Sequence, residues 1–355
     1  MTVGFFSPLP PARTGVAEYG AALLKALRPR GIVEVAPRSA DINLYHIGNN
    51  QLHADIYRRA LAEPGVAVLH DAVLHHFALG YFSREEYLQE FAYNYGGWSQ
   101  GLAQQLWDGR ARSGSDERYF GYGLLRRLIE RSRAVVVHNP AAAEAVTRCA
   151  PGARVVEIPH LFAPPPSVRA ADLGLPQKTV VLGIFGHLRE SKRVLPALRV
   201  FSRLPTHCVL LLAGDCVSRD LARAIEPYLS HRRIRRFPFL PEADFWRLAN
   251  ATDICINLRY PSVGESSGIG VRFMGIGCTV IATDGPEMAG IPRSAFVPVD
   301  TGLSEELMLE TVLRWLIRYR EDAREIGANA SRYICEYHNM EAVADRYWQT
   351  LLEAA

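Results

Sequence analysis

Glu265 precedes a run of small residues, ESSGIG, that leads into an apolar segment with helical period. The first N–H groups of a helix have no intrahelical partners and together carry about half a positive charge. Because Ser266, Ser267 and Gly268 are small, a diphosphate could approach those N–H groups closely. Glu265 would then lie beside the anion, where it could accept hydrogen bonds from sugar hydroxyls. An ordinary helix cap explains the same pattern equally well.

A second candidate anion site is the turn GHLRESKR at residues 186–193, which carries Arg189, Lys192 and Arg193 after a strand-like run. Cations at such a turn could neutralise a departing diphosphate, although many surface turns have this composition. Lysine occurs only at positions 25, 178 and 192, and arginine supplies the other 37 of the 40 basic residues. This scarcity is a weak indication that an ammonium group is needed at position 192.

Two more candidates follow strand-like runs in the first half of the chain. His70 and Asp71 end the apolar run VAVLH, and functional residues of open α/β sheets lie at such strand ends. Gly15 separates the first strand-like run from the first helical pattern, so backbone amides there could face a phosphate. Neither G-x-G-x-x-G nor a Walker motif is present, which gives no support to nicotinamide or ATP use. Asp-x-Asp is also missing, so we expect no metal and no other cofactor.

Strand-length apolar runs alternate with helix-length amphipathic segments along both halves of the chain. This alternation predicts the α/β class, with two doubly wound parallel sheets whose carboxyl edges face a shared cleft. The proline-rich run LFAPPPSVRAADLGLP, at residues 161–176, is interpreted as the linker between the two domains.

An aromatic-rich segment interrupts the alternation. Residues 77–122 hold 12 of the 34 aromatic residues, which predicts a helical insertion over about residues 77–132. These rings could pack as an internal core, or they could form a platform for a sugar-like acceptor. The candidates for the acceptor side are Asn49, Asp71, Tyr95 and Trp98.

Composition excludes several partners. The net charge of +3 argues against nucleic acid as the main partner, and no apolar run is long enough to span a bilayer. Six cysteines lack any Cys-x-x-Cys pair, and the start of the chain does not read as a leader, so we expect reduced thiols in the cytoplasm. Contact with a membrane would be peripheral at most, at its inner face.

Four stretches, TGVAEYG, LHDAVLHH, FGHLRESKR and INLRYPSVGESSG, occur in this order on the appropriate halves. In this combination the chain resembles the retaining GT-B glycosyltransferases of family 4, the glycosyl transferases group 1. The resemblance implies two Rossmann-like domains, 1–165 on the acceptor side and 166–337 on the nucleotide-sugar side, with residues 338–355 packing back on the first. It implies transfer of a hexose from a UDP- or GDP-sugar to an unknown acceptor, in glycan, glycolipid or glycoconjugate synthesis.

The resemblance also implies roles for single residues. His70 would contact the donor sugar, Lys192 the diphosphate and Glu265 the sugar hydroxyls. The implied donor-binding residues are Gly15, Arg189, Arg193, Ser266, Ser267, Gly268 and Ile269. Two positions depart from the family pattern: His187 replaces an arginine of the phosphate turn, and Phe273 replaces the second glutamate of Glu-x7-Glu, which binds the ribose.

Two alternative functions stay open on the sequence. A GT-B epimerase would act on a nucleotide sugar without any acceptor. A non-catalytic subunit would bind the nucleotide sugar without turning it over, and the departures at His187 and Phe273 favour this second alternative.

Overall fold

A computed structural model describes residues 1–165 and 167–355. Pro166, which falls at the predicted domain boundary and in the predicted linker, lies outside the described residues. The first sheet has the strand order β2-β1-β3-β4-β5-β6, and every pair is parallel. Its strands are β1 (Thr2–Phe6), β2 (Ile32–Val35), β3 (Ile42–Ile47), β4 (Val66–Leu69), β5 (Ala134–Val137) and β6 (Val155–Glu157).

The second sheet repeats this arrangement. Its order is β12-β11-β10-β7-β8-β9, again parallel throughout. Its strands are β7 (Val180–Phe185), β8 (Cys208–Ala213), β9 (Ile234–Phe237), β10 (Ile254–Asn257), β11 (Thr279–Thr283) and β12 (Val297–Val299). The two sheets confirm the predicted α/β class with two doubly wound units.

Helices connect successive strands and cover the faces of both sheets. They are α1 (Gly15–Leu27), α2 (Ala54–Ala62), α3 (His75–Tyr81), α4 (Arg84–Tyr95), α5 (Gln100–Asp108), α6 (Arg126–Arg131), α7 (Pro140–Cys149), α8 (Val194–Ser202), α9 (Arg219–Leu229), α10 (Glu242–Ala249), α11 (Gly268–Gly275), α12 (Glu305–Arg318), α13 (Arg320–Tyr337) and α14 (Met340–Ala354). Within residues 1–165 and 167–355, none of them combines the length and apolarity needed to cross a bilayer.

The central strands are apolar on both faces because helices cover both sides of each sheet. All residues of β4, β5, β7 and β8 are buried, and each sheet lies between two apolar clusters. We call the sheet β1–β6 with α1–α7 and α14 the first lobe, and the sheet β7–β12 with α8–α13 the second lobe.

Most of the aromatic-rich segment packs on itself. Tyr87, Phe91 and Tyr119 are fully buried in an apolar cluster of α3–α5 and the segment before α6. Trp98 differs from the other rings, since 78% of it is exposed.

The last helix, α14, belongs to the core of the first lobe although it follows the second lobe in sequence. Tyr347 is fully buried among α1 and strand residues, and its hydroxyl forms a 2.8 Å hydrogen bond with the Tyr19 hydroxyl. The chain therefore crosses between the lobes twice, before β7 and before α14. At these crossings the Phe162 N–H donates to the His338 carbonyl over 2.8 Å.

We predict that Tyr347→Ala lowers the free energy of unfolding by about 3–5 kcal/mol, because it opens a cavity and leaves the Tyr19 hydroxyl unpaired. Chemical denaturation measures the change. Leu352→Ala, at a half-exposed position of the same helix, is the control and should cost less than about 0.5 kcal/mol. Equal losses for the two variants would show that α14 does not complete this core.

Candidate functional site

The loops after β4 and β10 touch across the cleft between the lobes. The Ala72 N–H donates to the Val263 carbonyl over 2.7 Å, so the residues after His70 and Asp71 meet those before Glu265 directly. Gly264 permits this approach, since its φ is +73° and a Cβ there would lie 2.8 Å from the Ala72 Cβ. Residues from the two sheets thus share one site.

The Glu265 carboxylate is largely buried at this contact, and both of its oxygens accept hydrogen bonds from the surrounding loop. The Arg259 guanidinium donates to it, as do the Ser262 hydroxyl at 3.1 Å and the Val263 N–H at 2.9 Å. Burial by itself would raise the pKa of Glu265, but the charge and hydrogen bonds of Arg259 hold that pKa below its ordinary value. The carboxylate is therefore fixed in its ionised form.

The N-terminus of α11 opens beside Glu265. Ser267 caps the helix, since its hydroxyl accepts from the Gly270 N–H at 3.1 Å and donates to the Asn257 side chain at 3.1 Å. Within the described chain, the N–H groups of Gly268 and Ile269 have no hydrogen-bond partner. These two groups can therefore bind an anion.

Ser266 instead faces the first lobe. Its hydroxyl donates to the His138 carbonyl at 3.2 Å and accepts from the Asn139 side chain at 3.0 Å. Asn139 also donates to the Gly264 carbonyl at 3.0 Å. The end of β5 therefore holds the turn that carries Glu265, a contact that the sequence did not indicate.

Lys192 reaches the same place from the loop after β7. Its Nζ donates to the Phe185 carbonyl at 2.8 Å, and the preceding Ser191 carbonyl accepts from the Tyr260 N–H at 2.7 Å. Gly186 has φ +82°, and a Cβ there would lie 2.8 Å from the Lys192 Nζ and 3.3 Å from the Ile269 side chain. The ammonium and the start of α11 therefore flank one glycine turn.

Burial, together with the nearby charges of Arg259 and Arg189, lowers the pKa of Lys192 to about 7. A dianion in this position would relieve that repulsion and favour the charged ammonium. The loop is therefore suited to receive a negatively charged ligand.

The two arginines predicted next to Lys192 have different surroundings. Arg193 donates through Nε to both oxygens of the buried Glu305 carboxylate, at 2.8 and 2.9 Å, so its guanidinium is engaged in the second lobe. Arg189 is exposed, and its guanidinium makes no hydrogen bond or ion pair within the described chain. The structure thus brings Arg189, but not Arg193, to the cleft as an available cation.

The two residues that depart from the family pattern, His187 and Phe273, make contacts within the protein. His187 donates from Nε2 to the Arg13 carbonyl at 2.9 Å and so links the lobes. Phe273 is fully buried, with its ring centroid 4.8 Å from that of Phe185. Its neighbour Arg272 forms a 2.8 Å ion pair with Glu18 of α1 across the cleft.

Asp71, predicted for the acceptor side, lies near Glu265. Its carboxylate accepts from the Asn49 N–H at 2.7 Å, and the Asn49 side chain in turn accepts from the Phe77 N–H at 2.8 Å. Burial and the nearby Glu265 charge raise the pKa of Asp71 to about 6. A carboxyl group with this pKa can exchange a proton near neutral pH.

His70 is part of a buried group of rings. A 2.9 Å hydrogen bond joins its Nε2 to His46 Nδ1, and its ring contacts those of Tyr19 and His138 at centroid distances of 5.0 and 5.2 Å. His160 extends the group toward α11, where a Cβ on Gly268 would lie 3.2 Å from its Nε2. Burial keeps the pKa of His70 well below its ordinary value, so the ring is neutral.

The other predicted residues fall into two sets. Gly15 begins α1, capped by Thr14, and a Cβ added to it would meet nothing within 4 Å, so the space on that side of the residue is open. Tyr95 packs in the aromatic cluster of the insertion and Trp98 lies on its surface. In the described chain neither ring contacts the loops around Glu265.

The fold is that of the GT-B glycosyltransferases. Anabaena Alr3699/HepE, solved with UDP and glucose, covers 99% of this chain and 100% of its own at 16% identity, with a TM-score of 0.69. Sucrose-phosphate synthase from Thermosynechococcus elongatus covers 100% of both chains at 14% identity and a TM-score of 0.72. The lipopolysaccharide-biosynthesis glycosyltransferase WaaG covers 97% and 98% at 14% identity, with a TM-score of 0.62.

No protein-family model matches the chain, and a search of curated proteins finds no relative. Similarity at 14–16% identity establishes the architecture. The reaction has to be inferred from the site, and the assigned roles of its residues stay predictions.

Burial of neutral histidines predicts acid lability. Eight of the 11 histidines have a pKa below the ordinary value, in each case chiefly because burial disfavours the charged ring. Below pH 6.5 the unfolded chain binds protons that the folded chain does not, so stability is complete above about pH 7 and falls as the pH decreases. Each fully neutral ring contributes about 1.4 kcal/mol per pH unit to this slope.

Urea unfolding at several pH values between 4.5 and 7.5 measures the slope. We expect His46→Asn to reduce this slope by the equivalent of about one proton taken up on unfolding, because the asparagine amide keeps a hydrogen-bond partner for His70 but does not titrate. His207→Asn, at an exposed position, is the control and should leave the slope unchanged. A pH-independent stability in the wild-type protein would contradict the neutral cluster.

Proposed function

We propose that the chain is a retaining glycosyltransferase that moves a hexose from a nucleoside diphosphate sugar, with UDP or GDP as the nucleotide, to an acceptor hydroxyl. One observation carries the proposal. At the facing edges of two doubly wound sheets, the described chain brings together the largely buried, ionised Glu265 carboxylate, the ammonium group of Lys192 and the unpaired N–H groups of Gly268 and Ile269. The Anabaena neighbour, solved with UDP-glucose, supports UDP-glucose as the first donor to test.

The proposed donor pose follows from charge. The distal phosphate binds the N–H groups of Gly268 and Ile269, and Lys192 with Arg189 faces the diphosphate from the loop after β7. Glu265 accepts hydrogen bonds from the hexose hydroxyls, while the Gly15 amide faces the phosphates from the first lobe. The charge on the leaving group is neutralised by these groups, and we propose that no metal ion takes part.

In the proposed reaction, the bond between the sugar C1 and the phosphate oxygen breaks, and its electron pair goes to the leaving diphosphate. The acceptor oxygen bonds to C1 on the face that the diphosphate leaves, and the acceptor proton passes to a diphosphate oxygen. No side chain serves as a nucleophile in this scheme. The chain contributes positioning by His70 and Glu265 and stabilisation of the departing charge by Lys192.

We predict that Lys192→Ala lowers turnover by about 10²-fold, comparable to the loss of one oxyanion donor. Released nucleotide is measured with UDP-glucose, GDP-mannose and related donors, with and without candidate acceptors. Lys178→Ala, at an exposed lysine, is the matched control and should retain full activity. Turnover of a donor by Lys192→Ala at the wild-type rate would remove this residue from the assignment.

The same donor screen separates the alternatives. Release of nucleotide and free sugar that no acceptor accelerates favours an epimerase. A donor that raises the melting temperature without being turned over favours the non-catalytic binding subunit. Phe273 supports this alternative, because its fully buried side chain cannot contact a ribose as the family glutamate does.

We also predict that UDP binding takes up about one proton at pH 8. Lys192, with a pKa of about 7, is mostly neutral at this pH, and the bound diphosphate requires its charged form. Affinity should therefore fall as the pH rises above 7. Calorimetry in two buffers of different ionisation enthalpy measures the uptake.

Lys192→Arg is the control for this measurement, because a guanidinium stays charged and should bind UDP without proton uptake. The terminal phosphate of UDP is already ionised at pH 8 and does not contribute. Equal uptake by the variant and the wild-type protein would assign the titration to another group.

A further inference from the structure

Arg259 is the one cation of the site that hydrogen-bonds both to Glu265 and to the cap of α11 in the described chain. It lies two residues after the end of β10, and its guanidinium donates to the Glu265 carboxylate and, over 3.1 Å, to the Ser267 hydroxyl. Its side chain is 17% exposed and that of Glu265 is 15% exposed. The pair is therefore largely removed from water and held at the start of the helix.

The other basic side chains near the cleft cannot take this place. The Arg193 guanidinium is bound to Glu305, and His187 is bound to the Arg13 carbonyl. Arg189 is exposed, and it precedes Lys192 by three positions in the turn after β7. A guanidinium thus reaches the N-terminus of α11 from the loop after β10, not from the turn after β7.

We propose that Arg259 has two roles in the reaction: it positions Glu265 against the sugar, and it is a further cation, beside Lys192 and Arg189, that faces the leaving diphosphate. This inference rests on the proposed function. It assigns to Arg259, in the loop after β10, the positive charge toward the diphosphate that His187 does not supply.

Positioning follows from the geometry of the guanidinium. Two of its nitrogens donate to two different groups, so its plane fixes the carboxylate relative to the helix cap. Lysine at this position would keep the charge but could not bridge both groups in the same way. The two roles can therefore be separated by substitution.

The role as a cation follows from proximity to Lys192, because the N–H of Tyr260, next in sequence to Arg259, donates over 2.7 Å to the carbonyl of Ser191, next in sequence to Lys192. Arg259 is the neighbouring charge that lowers the pKa of Lys192 most, after burial itself. Two like charges held close together in an unfilled cleft repel each other, and a diphosphate between them turns this repulsion into attraction. Removal of Arg259 should therefore weaken nucleotide binding and also return the pKa of Lys192 toward its ordinary value.

The experiment compares Arg259→Lys and Arg259→Gln with the wild-type protein for UDP affinity, proton uptake at pH 8 and turnover. We expect Arg259→Gln to raise the Kd by about 10-fold or more. We also expect this variant to take up fewer protons on binding, because a larger fraction of Lys192 is already charged before UDP binds. Arg259→Lys should keep the Kd within about 3-fold and lose about 10²-fold in turnover, since Glu265 is no longer fixed. Arg223→Gln, at a surface ion pair, is the control and should change none of the three.

Arg259→Gln leaves a buried carboxylate unpaired, which is strongly destabilising. The double variant Arg259→Gln/Glu265→Gln removes both charges, so its UDP affinity can be measured if the single variant does not fold. A Kd about 10-fold above that of Glu265→Gln supports the role as a cation. A Kd equal to that of Glu265→Gln overturns it.

Three outcomes identify what has failed. Unchanged affinity, uptake and turnover in Arg259→Gln, with UDP bound by the wild-type protein, overturns the inference alone. Full turnover of Arg259→Lys overturns the positioning role. Failure of the wild-type protein to bind UDP or GDP overturns the proposed function, and the inference with it.

Discussion

The site depends on a carboxylate that is buried where two lobes meet. An isolated ionised carboxylate in such a place would be very unfavourable, so Glu265 requires the guanidinium, hydroxyl and amide that surround it. These partners come from one short loop, and that loop is held by Asn139 and by the residues after β4 in the other lobe. The requirement for a paired charge thus links the local geometry of the site to the arrangement of the two lobes.

Electrostatic preorganisation follows from the same constraint. Lys192, Arg189 and Arg259 lie near the N-terminus of α11, where the N–H groups of Gly268 and Ile269 have no partner among the described residues. Asp71 and Glu265 lie next to these groups. The site therefore contains a positive part for an anion and an oxygen-rich part for hydroxyl groups. The proposed ligand, a nucleoside diphosphate sugar, has both kinds of group, because its sugar hydroxyls and its diphosphate lie on either side of one linking oxygen atom.

The sequence indicated the fold well because both sheets are parallel and buried. Such strands are continuous apolar runs, and the functional loops follow their carboxyl ends, so His70, Lys192 and Glu265 could be placed from local pattern alone. Arg259, Asn139 and His160 were missed because an arginine, a helix cap and a loop histidine carry no periodic signal. Their importance arises from contacts between residues that are far apart in the chain.

The same limit applies to Arg193, Tyr95 and Trp98, whose roles at the site stay predictions. Arg193 is adjacent to Lys192 in sequence, yet its side chain pairs with Glu305, 112 positions further along. Trp98 and Tyr95 lie in an aromatic-rich segment whose rings mostly pack with each other. Neighbourhood in sequence or a shared composition does not determine which way a side chain points.

The position of α14 has a consequence for how this protein is made. Because α14 supplies Tyr347 and Leu351 to the core of the first lobe, that lobe cannot bury its apolar surface when its own strands leave the ribosome. It stays incomplete, with the surface of α1 uncovered, until α14 has been synthesised after the whole second lobe, and during this interval it exposes apolar surface to which chaperones bind. The lobe that is translated first is thus the lobe that is completed last.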